Sequence, residues 1–224
     1  MITLIPKLND FNYTFPNPSL ATKEGLLAWG GDLSAERLLS AYEKGIFPWF
    51  NPNDPILWWS PNPRLILFPT DIKITQSLRK SMKRFEVKFD ENFEAVMRLC
   101  RDVRVKKGQS SWIFDEMIEA YKSLHVKGIA HSVECYNKGE LVGGLYGLYL
   151  GGMFCGESMF SIQRDASKVA LVALCEKVIS LKGDFIDCQL PTPHLKSMGA
   201  VEISREVFLG MIEKTLEKKV NFLK

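Results

Sequence analysis

The sequence predicts an α+β protein in two parts, a small proline-rich domain over residues 1–70 and a larger domain of sheet and helices over residues 71–224. Three observations carry this. The first seventy residues hold nine of the chain's eleven prolines, which forbids long hydrogen-bonded ladders and favours short strands and turns. Between residues 129 and 160, three apolar runs are joined by short Gly and Asn turns, the pattern of an antiparallel meander. Helical periodicity lies on both sides of that meander, and the order helix, three strands, helix, strand argues for a sheet with helices packed on it.

The elements follow in order. In the small domain one helix is expected, with Ser34 as N-cap, Leu38, Leu39 and Tyr42 at helical spacing, and Gly45 as the stop with Pro48 beyond it. The stretch GIFPWFNPNDPILWWSPNPR, residues 45–64, sets Trp49, Trp58 and Trp59 among five prolines, and so stiff an aromatic segment asks for a purpose. From Thr75 three helical patterns run over 75–85, 91–107 and 115–127. In the second, Phe93, Val96, Met97, Cys100 and Val103 form one apolar stripe behind the candidate cap Asp90. The meander reads IAHSVECY, a turn at NKGE, LVGGLYGLYL, a GG turn, then MFCGESMF. A helix from about Ala166 to Leu181, a strand DFIDCQL, a short strand AVEIS and a last helix from about Arg205 complete the chain.

Composition bounds the function. With 224 residues, 46% of them hydrophobic, the chain buries a real core without staples. The five cysteines, Cys100, Cys135, Cys155, Cys175 and Cys188, include no C-x-x-C pair and sit in apolar runs, which predicts buried free thiols in a reducing compartment. The start lacks a basic stretch before an apolar core, and no run nears eighteen apolar residues, so a soluble cytoplasmic protein without membrane contact is expected. A net charge of +3 is too small to identify a polyanion partner, so the distribution of charge matters more than its sum.

Few residues are candidates for chemistry. Alternation along DFIDCQL puts Asp187 and Gln189 on one face and Ile186 and Cys188 on the other; the pair marks either a solvent-facing edge or a buried polar site in a central strand. Glu157 follows Gly156 in an apolar strand, where a glycine suggests a bulge that re-aims the next side chains; the carboxylate either holds a cation or forms a salt bridge. The helix from Ala166 opens with QRDASK, lacking the glycine-rich loop whose N–H groups hold pyrophosphate. Its Leu171, Leu174 and Val178 form a stripe that is either core or pocket wall. Arg79, Lys80, Lys83 and Arg84 in one cluster, and Arg101, Arg104, Lys106 and Lys107 in another, either solvate helix faces or track phosphates. His125, His131 and His194 lack metal-ligand spacing, and no Ser or Cys sits in a nucleophile elbow, so neither a metal nor a covalent enzyme intermediate is expected.

Taken together, GLLAWGGDLSAERLLSAYEKGIFPWF, PILWWSPNPR, HSVECY, LVGGLYG, FCGESMFS and DFIDCQ, in that order over about residues 25–190, closely resemble the leucyl/phenylalanyl-tRNA-protein transferases. The resemblance implies an acetyltransferase-like (GNAT) larger domain. It also implies transfer of Leu or Phe from aminoacyl-tRNA to the N-terminal Arg or Lys of a protein, marking that protein for N-end-rule degradation, with no cofactor. It assigns adenosine stacking to Trp49 and Trp112, and leaves Trp58 and Trp59 as packing between the two domains. The aminoacyl pocket maps onto Leu145, Phe154, Met159, Leu171, Leu174, Val178 and Ile186, acceptor binding onto Glu157, and catalysis onto Asp187 and Gln189, with Asp187 polarising Gln189. Since members of the family can carry phenylalanine at the positions of Leu174 and Val178, a wider pocket and a higher ratio of phenylalanyl to leucyl transfer are expected here. Two other functions fit parts of the pattern: an acetyl-CoA-dependent N-acetyltransferase, which QRDASK disfavours, and a non-catalytic RNA-binding protein, which leaves Asp187, Gln189 and Glu157 without a task.

Overall fold

The computed structural model describes residues 5–223. After a 3-10 turn at Pro18–Leu20, the small domain runs β1 (Leu26–Trp29), α1 (Ala35–Tyr42), β2 (Phe47–Pro48) and β3 (Leu57–Trp59). The Ser34 side chain accepts the N–H of Arg37 and starts α1. Gly45 ends the turn after it at φ +70°, a left-handed conformation that glycine adopts without penalty. The prolines keep the strands short, and β3 lies between β1 and β2 in an antiparallel sheet.

The larger part adds β4 (Arg64–Leu67), α2 (Gln76–Met82), β5 (Glu86–Phe89), α3 (Phe93–Lys106), α4 (Asp115–Val126), β6 (Ala130–Asn137), β7 (Glu140–Leu150), β8 (Met153–Ser161), α5 (Ala166–Ser180), β9 (Phe185–Gln189), α6 (Pro193–Ser197), β10 (Val201–Ile203) and α7 (Arg205–Thr215). Seven strands form one sheet in the order β10-β4-β9-β8-β7-β6-β5. The predicted meander is present as β6, β7 and β8, each antiparallel to the next, while β8 and β9 run parallel. One face of the sheet packs against α1, α3, α4, α7 and the small domain; the other packs against α2 and α5. Trp58 is fully buried in the first of these cores, which runs without a break from the residues of β1–β3 and α1 to those of α3, α4 and α7.

Four features differ from the sequence-based expectation. The strand β5 has no counterpart in it, because EVKF alternates with charge and is too short to stand apart from neighbouring helical patterns. The short helix α6 likewise has no counterpart in it. The strand β4 lies before residue 70 yet pairs with β9 and β10 in the large sheet. Asp90 is not the cap of α3: it stands at φ +58°, its carboxylate accepts the N–H of Ser132 at 2.8 Å and bonds Nδ1 of His131 at 2.7 Å, and the cap position belongs to Asn92. The N–H groups of Glu91 and Asn92 donate instead to the buried Glu134 carboxylate, at 3.2 and 3.1 Å. Of the cysteines, four are buried and Cys188 is half-buried, and all five are free thiols.

Candidate active site

The strands β8 and β9 pair only from Met153 to Cys155 against Phe185 to Asp187. Beyond that, β8 continues along β7 to Ser161 and β9 stays with β4, so the sheet parts. A cavity of about 390 Å³ fills the gap, within the usual range for small-molecule sites. Leu145, Phe154, Met159, Leu171, Leu174 and Ile186 give it an apolar wall drawn from the α5-side core. Trp49 and Trp112 line the same cavity. Trp49 is 43% exposed on a backbone held by two bonds: its N–H donates to Leu57 O at 3.0 Å, and its O accepts from Trp59 Nε1 at 2.6 Å. The Trp59 ring also leans on it, centroid to centroid, at 5.5 Å. Prolines and Trp59 together stiffen an aromatic surface.

Glu157 reaches the cavity through a bulge. Tyr146 faces Ser158 and Gly147 faces Gly156 across β7 and β8, leaving Glu157 as the extra residue, as the neighbouring glycine suggested. Its carboxyl group lies 2.7 Å from Tyr42 Oη and 3.1 Å from Tyr121 Oη and accepts from Gln189 Nε2 at 3.0 Å; the two tyrosine hydroxyls also meet each other, so two hydroxyl protons serve three oxygen contacts unless Glu157 carries a third. Burial pushes the Glu157 carboxyl up from 4.5 to about 7, against the lowering by these three neighbours and with the Asp187 charge adding to the rise. Among the described residues no Lys or Arg forms a salt bridge to it.

Asp187 and Gln189 are not on one open face. Arg64 holds Asp187 in a buried bidentate ion pair, Nε to Oδ1 at 2.8 Å and Nη2 to Oδ2 at 2.6 Å, and its guanidinium lies over the rings of Phe47 and Phe208 at 5.0 and 4.4 Å. Asp187 Oδ1 also accepts the backbone N–H of Gln189 at 3.0 Å, an Asx-type turn. Gln189 stands at φ +60°, which breaks the strand alternation and swings its side chain into the cavity. Asp187 does not line that cavity and touches Gln189 at the backbone, not at the carboxamide. The hydrogen bond between them is the one at the Gln189 N–H, while the carboxamide Nε2 donates to Glu157.

A family profile described as leucyl/phenylalanyl-tRNA protein transferase matches residues 66–213, and that family's N-terminal domain profile matches residues 31–62. The leucyl/phenylalanyl-tRNA-protein transferase of Sulfurimonas denitrificans is 55% identical, over 97% of this chain and 96% of its own. That of Legionella pneumophila (strain Corby) is 52% identical, over 95% of this chain and 97% of its own. The chain belongs to the leucyl/phenylalanyl-tRNA-protein transferase family. Among solved structures it is similar to a GCN5-related N-acetyltransferase from Kribbella flavida, at 10% identity and a TM-score of 0.41, over 74% of this chain and 60% of that one.

For a leucyl/phenylalanyl-tRNA-protein transferase, an aminoacyltransferase by family, the remaining expected site residues divide. Val178 is fully buried in core and does not line the cavity; it faces Gly183, where an added Cβ would come 2.6 Å from its Cγ1. Leu174, one turn earlier, does line it. The two basic clusters sit on opposite layers, α2 on the α5 side and α3 on the small-domain side. Arg79 and Lys80 on α2, and Lys83 and Arg84 just past its end, are exposed. In α3, Arg101 pairs with Asp102 and Asp115, Arg104 lines the cavity, and Lys106 and Lys107 are exposed. Sequence reasoning missed Arg64, Tyr42 and Tyr121. Arg64 carried a signal, a charge at the head of the apolar strand RLIL; the tyrosines carried none, since each reads as ordinary helix core.

Proposed function

We propose that the cavity between β8 and β9 holds the leucyl or phenylalanyl group of an aminoacyl-tRNA and passes it to the N-terminal Arg or Lys of a protein, in the cytoplasm, marking that protein for N-end-rule degradation. The observation that carries it is the Gln189–Glu157 hydrogen bond set against an apolar wall: a carboxylate for a cation and a carboxamide for an amine, beside a hydrophobic chamber for the donor's side chain. The wall favours Leu and Phe by shape and excludes charged aminoacyl groups through their desolvation cost. Trp49 and Trp112 stack the terminal adenosine, a contact worth on the order of 1 to 3 kcal/mol per base.

In the reaction the acceptor's α-amine attacks the ester carbonyl, a C–N bond forms, the ester C–O bond breaks, and the ribose oxygen leaves with the proton the amine has lost. Gln189 commits its Nε2 to Glu157, so its amide oxygen is turned to accept from the amine. A carboxamide is a weak base, and its contribution is orientation and electrostatic stabilisation. Asp187 acts through Arg64 and the Gln189 backbone as a positioning residue. Use of acetyl-CoA fits less well. At the start of α5 the N–H groups of Ala166 and Ser167 already donate to Gln163 O and Ser161 Oγ, and the Asp165 carboxylate stands beside them, unfavourable to pyrophosphate.

The test is transfer from labelled leucyl-tRNA, or from labelled acetyl-CoA, to a peptide beginning with Arg. Label is expected on the peptide from the tRNA alone, and Gln189→Ala is expected to lower turnover about a hundredfold, the usual cost of one transition-state contact, with donor affinity unchanged. Acetyl transfer, or wild-type turnover in the variant, overturns the proposal.

A further inference from the structure

We infer that Phe222, outside the cavity and near the end of the described chain, is a specificity-determining residue for the donor side chain. This inference rests on the donor-pocket reading above. Phe222 is 1% exposed and packs under the α5 face of the sheet, touching one aromatic ring from each of four successive strands. Its centroid lies 6.1 Å from Phe89 of β5, 4.3 Å from His131 of β6, 5.3 Å from Tyr149 of β7 and 5.8 Å from Phe154 of β8. Of these four, Phe154 alone also lines the cavity.

The seat of Phe154 explains why that contact matters. Its ring lies over Gly147 of β7, where a Cβ would come 2.6 Å from Phe154 Cε1, so no side chain fills that place, and its register partners are Tyr149 of β7 and Ile186 of β9. Phe222 packs against both the Phe154 ring and its partner Tyr149, at 5.8 and 5.3 Å between centroids, and so backs this stretch of the wall. Interiors are close-packed, and a ring that loses a neighbour moves toward the vacated volume. Removing Phe222 therefore lets the Phe154 wall retreat and widens the chamber from a site the substrate does not touch. A wider chamber leaves a leucyl group with forfeited contacts and gives a phenyl ring room. The His131 ring, stacked on Phe222 and held by Asp90, fixes Phe222 in turn.

The experiment is competition of phenylalanyl-tRNA and leucyl-tRNA for one Arg-peptide, in the wild type and in Phe222→Ala, Phe222→Leu, Leu78→Ala and Leu174→Phe. Phe222→Ala is expected to raise the phenylalanyl-to-leucyl ratio by about tenfold, the low end of what one methylene of apolar fit is worth. Phe222→Leu should shift it less and in the same direction, with the KM for the peptide unchanged in both. Leu78→Ala, a truncation in the same core away from the cavity, should leave the ratio alone. If Phe222→Ala does not fold, Phe222→Leu, which keeps most of the volume, decides. An unchanged ratio in the folded Phe222 variants alongside a shifted ratio in Leu174→Phe overturns this inference and leaves the pocket standing. No shift in any variant removes the pocket and the inference with it. A ratio that moves equally in Leu78→Ala assigns the effect to general destabilisation and likewise overturns it.

Discussion

Glu157 shows how much a single side chain can draw from its setting. A carboxylate in an apolar strand is costly, and here three hydrogen-bonding neighbours, Tyr42, Tyr121 and Gln189, reduce the cost without abolishing it: burial still raises the group to about 7. Below that pH it is largely neutral and a poor host for an acceptor cation. The kcat/KM for an Arg-peptide is therefore expected to rise through two ionisations, Glu157 near 7 and the peptide's own α-amine near 7.7–8.0, and Glu157→Gln should lose the lower one. Both inflections persisting in the variant would remove Glu157 from acceptor binding. Stability carries the same signature. The folded-state value lies above the unfolded one of 4.5, so Glu157 favours folding fully below about 4.5 and loses that contribution as pH rises through 7; thermal melts of Glu157→Gln should lack this dependence. Arg64 and Asp187 make the complementary case, two charges that burial tolerates because they satisfy each other.

At the scale of elements, α5 and the basic helices each sort residues that look alike in sequence. Leu174 and Val178 lie four positions apart on one stripe, yet α5 turns the first to the cavity and the second to Gly183. Leu174→Phe is expected to lower the phenylalanyl-to-leucyl transfer ratio. Val178→Phe should leave that ratio alone and cost about 1–3 kcal/mol by overpacking, read as a lowered denaturant midpoint; a ratio shift from Val178→Phe would contradict this division. The helices α2 and α3 differ as well. The cations of α2 are exposed, whereas Arg101 of α3 is spent on Asp102 and Asp115. Neutralising two cations of the first cluster, Lys80 and Lys83, should make the slope of log affinity for tRNA against log salt shallower by about two. Neutralising Arg101 should change it little. Equal effects from both helices would mean that ion pairing does not discriminate them.

The whole molecule is bound together by one strand and one core. The strand β4 sits between β10 and β9 and brings Arg64 to Asp187, and the small-domain core is continuous with that of α3, α4 and α7. A fragment of residues 71–224 lacks both, and leaving Asp187 buried without its partner alone costs about 3–5 kcal/mol. No cooperative thermal transition is expected for it, and a native-like melt would refute the shared core. The sequence by itself determined what is local. Ser34 and Gly45 bound α1 by capping, apolar runs joined by Gly and Asn turns define β6, β7 and β8, and Gly156 announces the bulge at Glu157. The stiffness of the aromatic segment at 45–64 was legible for the same reason, since prolines restrict the chain wherever it folds. What only the tertiary structure decided is what depends on distant neighbours: the charge that meets Asp187, the rings that surround Glu157, which turn of α5 reaches the cavity, and the separation of the basic clusters by a sheet. A left-handed residue at Gln189 belongs with these. Glutamine has no intrinsic preference for positive φ, and it adopts one here because Asp187, itself clamped by Arg64 from 123 residues away, holds its N–H.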